Sequence, residues 1–115
     1  MAEKNANTPD FYSNAVQFES SVWDLKLHFR QLDQSGEKAD LEHRGTVTVP
    51  WLQAKIMLFY LQLNLAIHED NNGTVSVPTS VLPIPPDEID KGDFFSESLK
   101  ALYRQLYSKM FAPAE

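Results

Sequence analysis

Three histidines, His28, His43 and His68, are the only imidazoles in the chain. Imidazole moves protons near neutral pH and binds transition metals. No H-x-x-H or H-E-x-x-H run places two of them on one helix face. His28 falls on the polar side of an alternating segment and His68 near a helix end, so exposed or capping roles are expected. The acidic neighbours Glu69–Asp70 and Asp87–Glu88 fall in expected turns, where solvated carboxylates are ordinary and acid–base work would need a cleft. Gly36, Gly45, Gly73 and Gly92 are scattered and build no phosphate-cradling loop, and no serine sits in a nucleophile elbow. Cysteine is absent, which excludes disulfides, thiolate metal sites and thiol nucleophiles. Asn72-Gly73-Thr74 matches a glycosylation sequon but reads as a turn. Asp24 is expected to pair with Lys26 or Arg30 on a strand surface, and Tyr12 and Asn14 to be structural. No catalytic residue, cofactor or metal site is therefore expected, and the informative residues are apolar.

The stretch Pro50–Glu69 organises them. It is rich in Leu, Ala, Met, Gln and Lys with no interior Pro or Gly, which predicts a helix. At 3.6 residues per turn it carries two apolar stripes on opposite sides. Leu52, Ile56, Phe59, Leu63 and Ile67 form one, and Ala54, Leu58, Leu61 and Leu65 the other. Such a helix needs two covers. The first, bulkier stripe is expected to lie on a sheet. The second is expected to meet a second helix, its own or a neighbour's, or the same helix of a twofold mate, so that neither lies bare in a lone subunit.

That sheet is read from the residues before the helix. Phe11–Ser21 places Tyr12, Val16 and Phe18 on one face at period two. In Val22–Leu32, Trp23, Leu25, Leu27 and Phe29 alternate with Asp24, Lys26, His28 and Arg30, a strand with one face on a core and one in water. The short join between them predicts an antiparallel hairpin. After a polar loop, Asp33–Asp40, the run His43–Pro50 reads as a third strand. Pro50 is assigned to the helix's first turn, and Asn72-Gly73 to its stop. Thr74–Val77 suits a short fourth strand or an extended segment. Pro78–Pro86 suits a stiff polyproline-like reach, and Asp93 suits the N-cap of a second helix, Phe94–Phe111. Phe95, Leu99, Leu102, Leu106 and Met110 make that helix's main stripe, with Lys100, Arg104 and Lys109 on its wet side.

The fold class expected is α+β: a three- to four-stranded antiparallel meander packed on a long central helix, with a proline-rich connection and a C-terminal helix. Residues 1–10 would be a flexible arm, 11–77 the core, 78–92 the connection and 93–112 the last helix of the same domain. One domain suits 115 residues, and an apolar fraction of 43% suffices for a core. A net charge of −6 and a pI of about 4.9 argue against nucleic acid and anionic membrane as partners. The N-terminal residues hold no apolar run, and the long helix is interrupted by Gln, Asn and Lys, so a cytoplasmic protein without a membrane span is expected.

Tyr12-Ser13-Asn14, Trp23-Asp24 before an alternating strand, and Pro50 with Ala54-Lys55 opening a Leu-rich helix that ends at Gly73 resemble a small bacterial family known only as a domain of unknown function. The resemblance covers roughly residues 11–77 and implies a prokaryotic origin and a strand–strand–strand–helix core, without an activity. The order of sheet, long helix, Gly-then-Pro-rich connection and aromatic-led helix is similar in layout to the SecB export chaperone. That likeness implies an acidic, oligomeric protein that holds unfolded chains in apolar grooves.

The function expected is that of a non-enzymatic homo-oligomer that binds other proteins, in its concrete form a SecB-like holdase. The alternative is a scaffold subunit whose self-assembly is its function. The interface would use Ala54, Leu58, Leu61 and Leu65, and grooves lined by Phe94, Phe95, Tyr103 and Tyr107 would take apolar segments. For those four aromatics, packing within the second helix is the preferred reading.

Overall fold

The computed structural model describes residues 8, 10–33 and 40–111. The expected N-terminal arm, apart from residues 8 and 10, and the interior of the expected loop Asp33–Asp40 lie outside the described residues. The chain is α+β and divides into two units, residues 1–68 and 69–115.

In the first unit, β1 (Ala15–Ser20), β2 (Asp24–Asp33) and β3 (Asp40–Pro50) form an antiparallel meander in the order β1-β2-β3. Val16 faces Phe29 and Phe18 faces Leu27 across the first pair; Leu25 faces Val49 and Leu27 faces Val47 across the second. These pairs share one pleat face, which becomes apolar, while Lys26, His28 and Thr46 share the other. The core is small: Leu27, at the centre of the middle strand, and Val49 are 7% and 8% exposed.

The strands begin and end elsewhere than the pattern implies. Trp23 is not in β2 and does not face the core. It sits in the β1–β2 turn, 83% exposed. The Ser21 hydroxyl sets that turn by accepting the N–H groups of Trp23 and Asp24, both at 3.1 Å. Asp24 Oδ1 accepts from the Ser21 hydroxyl at 3.1 Å, rather than pairing with Lys26 or Arg30. β3 starts at Asp40, and a bulge beside Phe29 and Arg30 leaves Arg44 without an opposite residue. Pro50 pairs with Asp24 as the last residue of β3, not the first of the helix; lacking an N–H, it suits a strand end.

Helix α1 (Trp51–Asn72) follows without a loop. Among the described residues, none of α1 is buried and no sheet strand packs on it along its length. The expectation that the Leu52 stripe lies on the sheet is thus corrected. The stripe turned towards the sheet is the other one, and the expectation that neither stripe lies bare in a lone subunit is corrected too, since Leu52, Phe59, Leu58 and Leu61 all stay exposed within one chain. The helix ends at Gly73, whose φ of 89° suits the left-handed stop that glycine takes without strain.

In the second unit, Glu69 Oε2 accepts the Val75 N–H at 2.7 Å as the chain leaves the helix. Thr74–Pro78 is without regular structure, so the fourth strand is not formed. The proline run is not continuously extended: a 3-10 turn, Thr79–Val81, lies between extended Pro78 and Leu82. Helix α2 (Pro86–Lys91), with Pro86 at its first position, packs on α3 (Glu97–Phe111). The second long helix therefore starts later than expected. Ser96, not Asp93, is its cap, its hydroxyl 3.4 Å from the Leu99 N–H. Phe94 and Phe95 precede the helix.

Candidate functional site: an apolar groove and a polar relay on one sheet

The apolar face of the meander and the first half of α1 form the two walls of a groove. Phe18, Leu25 and Leu27 line it from the sheet; Trp51, Ala54, Leu58 and Leu61 line it from the helix, and its volume is about 520 Å³. The walls join where the Trp51 indole N–H donates to the Ser21 carbonyl at 2.9 Å, which ties the first turn of α1 to the β1–β2 turn. Of the interface residues read from sequence, Ala54, Leu58 and Leu61 line this groove, with Leu58 55% and Leu61 64% exposed. Leu65 lies one turn further along α1 and is partly covered.

The four C-terminal aromatics separate into two kinds. Phe94 is 90% exposed. Phe95, Tyr103 and Tyr107 are partly covered and form a ladder continued by Phe111, with centroids 6.3 Å apart from Phe95 to Tyr103 and from Tyr103 to Tyr107, and 5.3 Å apart from Tyr107 to Phe111. The Tyr103 hydroxyl donates to the Ile84 carbonyl at 2.5 Å and so clips the segment before α2 to α3. Burial, and next the nearby Tyr107, push the Tyr103 phenol above its ordinary value of 10.0. On the neighbouring face the Arg104 guanidinium donates to both Asp87, at 2.9 Å, and Asp90. The Asp87 and Asp90 hydrogen bonds hold its pKa above the usual arginine value. Lys100, expected on the wet side, lies along the protein, donating to the Asp90 carbonyl at 3.3 Å and the Glu97 carboxylate at 3.4 Å.

The opposite face of the sheet carries a polar relay that spacing along the chain did not reveal. His28 Nε2 lies 2.9 Å from Glu19 Oε1, and His28 Nδ1 lies 2.9 Å from Thr46 Oγ1. Thr46 Oγ1 is also 3.2 Å from His43 Nε2. A carboxylate only accepts, so Nε2 carries the proton of a neutral His28 ring and Nδ1 accepts from the Thr46 hydroxyl. That hydroxyl then accepts from His43 Nε2–H. The chain of donors runs in one direction, from β3 through β2 to β1. His28 is thus neither bare nor a cap; the signal for this lay in register, since His28 stands opposite Thr46 on β3 and Gln17 on β1, beside Glu19. The relay joins three strands but lies across the sheet from the groove. Among the described residues, no three His, Asp or Glu side chains converge as a metal ion would need.

Against this geometry the comparison with protein families is decisive. The family model described as Protein of unknown function (DUF3467) matches residues 2–77. The chain belongs to this family. The matched residues contain the whole meander, both walls of the groove, the polar relay and the glycine that stops α1, whereas α2 and α3 lie beyond them. No curated protein and no solved structure matches the chain, so the similarity in layout to SecB gains no support. Among the described residues, no helix is long and apolar enough to cross a membrane.

Proposed function

We propose that this member of the family is a non-enzymatic protein-binding module that works as a homo-oligomer. The observation that supports the reading is the exposure of α1 on both apolar stripes beside an apolar sheet face that is only partly covered, with Phe18 62% and Val47 45% exposed. Fully burying one large apolar side chain is worth roughly 1.5–3 kcal/mol, so a helix with this many half-exposed Leu, Ile and Phe residues gains most by finding polypeptide to cover it. The groove's walls supply apolar contact with Lys55 as the one charged residue among their lining, which suits an apolar segment of a protein better than a charged small molecule. A net charge of −6 keeps such a surface soluble and disfavours acidic partners.

The test pairs two measurements on the full chain. Light scattering after size exclusion reads the mass, which is expected to be at least twice the 13.1 kDa of one chain. Turbidity of a thermally unfolding client reads binding, with aggregation expected to fall at an equimolar ratio. A client that aggregates unchanged removes the holding activity from this reading.

A further inference from the structure

Resting on that reading, we infer that the occupant of the groove is helix α1 of a second copy, entering antiparallel about a twofold axis near the middle of the helix. The argument starts from self-complementarity. A helix seated between two apolar walls must be apolar on two opposite sides. Such a helix is the part of α1 that carries Phe59, Leu63 and Ile67 on one side and Leu58, Leu61 and Leu65 on the other. The chain thus presents both the slot and the shape that fills it, which is the condition for an isologous dimer.

Spacing agrees. Trp51, Ala54, Leu58, Leu61, Leu65 and His68 alternate steps of three and four, the seam of a coiled coil. Antiparallel, one register closes the whole seam: Ala54 opposite Leu65, Leu58 opposite Leu61, and Trp51 opposite His68. Charge agrees. Lys55, which lines the groove, and Glu69 lie on the same flank of this seam near opposite ends of α1, so an antiparallel mate brings unlike charges towards each other. Helix dipoles also favour antiparallel neighbours.

The area suffices. Exposed apolar residues on α1 and on the sheet's apolar face, from Val16 at 42% to Leu52 at 74%, sum to on the order of 800 Å² of bare surface, at about 60–120 Å² per aliphatic and 150–250 Å² per aromatic side chain. A standard interface takes about 800 Å² from each partner.

The chain has no native cysteine, so introduced ones report cleanly. The full chain is made as Ala54→Cys, as Leu65→Cys and as the double variant, and oxidised at micromolar concentration. The expected result is covalent dimer from the double variant and at least tenfold less from either single one. Leu61→Asp is expected to weaken the dimer at least tenfold while far-UV circular dichroism is retained. Dimer formed equally by each single variant overturns the antiparallel arrangement. A wild-type mass of one chain, or a dimer that forms no cross-link in the double variant, overturns the inference, and a monomer that binds an apolar peptide in the groove assigns it to another occupant. A cross-linked dimer that leaves client aggregation unchanged removes the holding activity and leaves the pairing intact.

Discussion

Asn14 pairs with Leu32 as though it were one more residue of a strand. Its Oδ1 accepts the Leu32 N–H at 2.7 Å and its Nδ2 donates to the Leu32 carbonyl at 3.3 Å. A side-chain amide carries the same donor and acceptor as a peptide unit, so it extends the ladder one residue ahead of the first residue of β1. Asn14→Asp keeps the acceptor and sets a carboxylate oxygen against the Leu32 carbonyl. Urea unfolding should show a loss of about 1 kcal/mol for Asn14→Ala and a larger loss for Asn14→Asp.

Trp51 fixes where α1 leaves the sheet, through its indole N–H on the Ser21 carbonyl. Trp51→Phe keeps an apolar ring and deletes the donor. The expected cost is about 1 kcal/mol by denaturant unfolding, accompanied by faster hydrogen exchange at the Trp23 and Asp24 amides, which the same turn holds.

Gly73 and Gly45 should fail for different reasons when changed to alanine. At Gly73 the φ is 89° and an added Cβ meets no atom within 4 Å, so the cost is conformational alone, about 1 kcal/mol, and Asn at this position should restore part of it. At Gly45 the same Cβ would lie 3.1 Å from the Phe11 ring, which covers the glycine and sits 6.1 Å from Phe29, centroid to centroid. Gly45→Ala should displace Phe11, and Phe11→Ala should make Gly45→Ala nearly neutral. A double-mutant cycle in thermal unfolding reads that coupling.

Alkaline pH should loosen the second unit before the first. The Tyr103 phenol titrates above its ordinary 10.0 when folded, so folding favours its protonated form. That contribution is complete below the unfolded value and is lost as pH rises through the folded one, placing the change above pH 10.0. Helical circular dichroism followed between neutral pH and this range should fall earlier in the wild type than in Tyr103→Phe, which cannot ionise.

The relay on the polar face gives a last expectation. Thr46→Val removes the one hydroxyl shared by His28 and His43, leaving a donor and an acceptor to water. Both rings keep some solvent access, so the loss should stay near 1 kcal/mol in thermal unfolding. His28 should show a changed tautomer population by nitrogen NMR, because Glu19 alone then orients it.

What the amino-acid sequence determined by itself was local. Period-two alternation from Leu25 to Phe29 and from Val47 to Val49 specifies strands with one apolar face, because a pleat sends successive side chains to opposite sides. The composition of α1 and the positive φ open to Gly73 set a helix and its stop, since both act within a turn or two of backbone. What the tertiary structure decided depended on register and on distant partners. Trp23 continues the alternation but lies in a turn held by Ser21. His28, His43 and Glu19 come from three strands, and only the pairing of His28 with Thr46 assembles them. Period also marked two stripes on α1, and their bulk pointed to the wrong one for the sheet side; the turn at Ser21 decided that, by holding Trp51 so that Ala54, Leu58 and Leu61 look into the groove. Periodicity reports that a face must be covered, because apolar surface in water is costly wherever it lies, while the direction from which the cover comes is set by contacts between residues far apart in the chain.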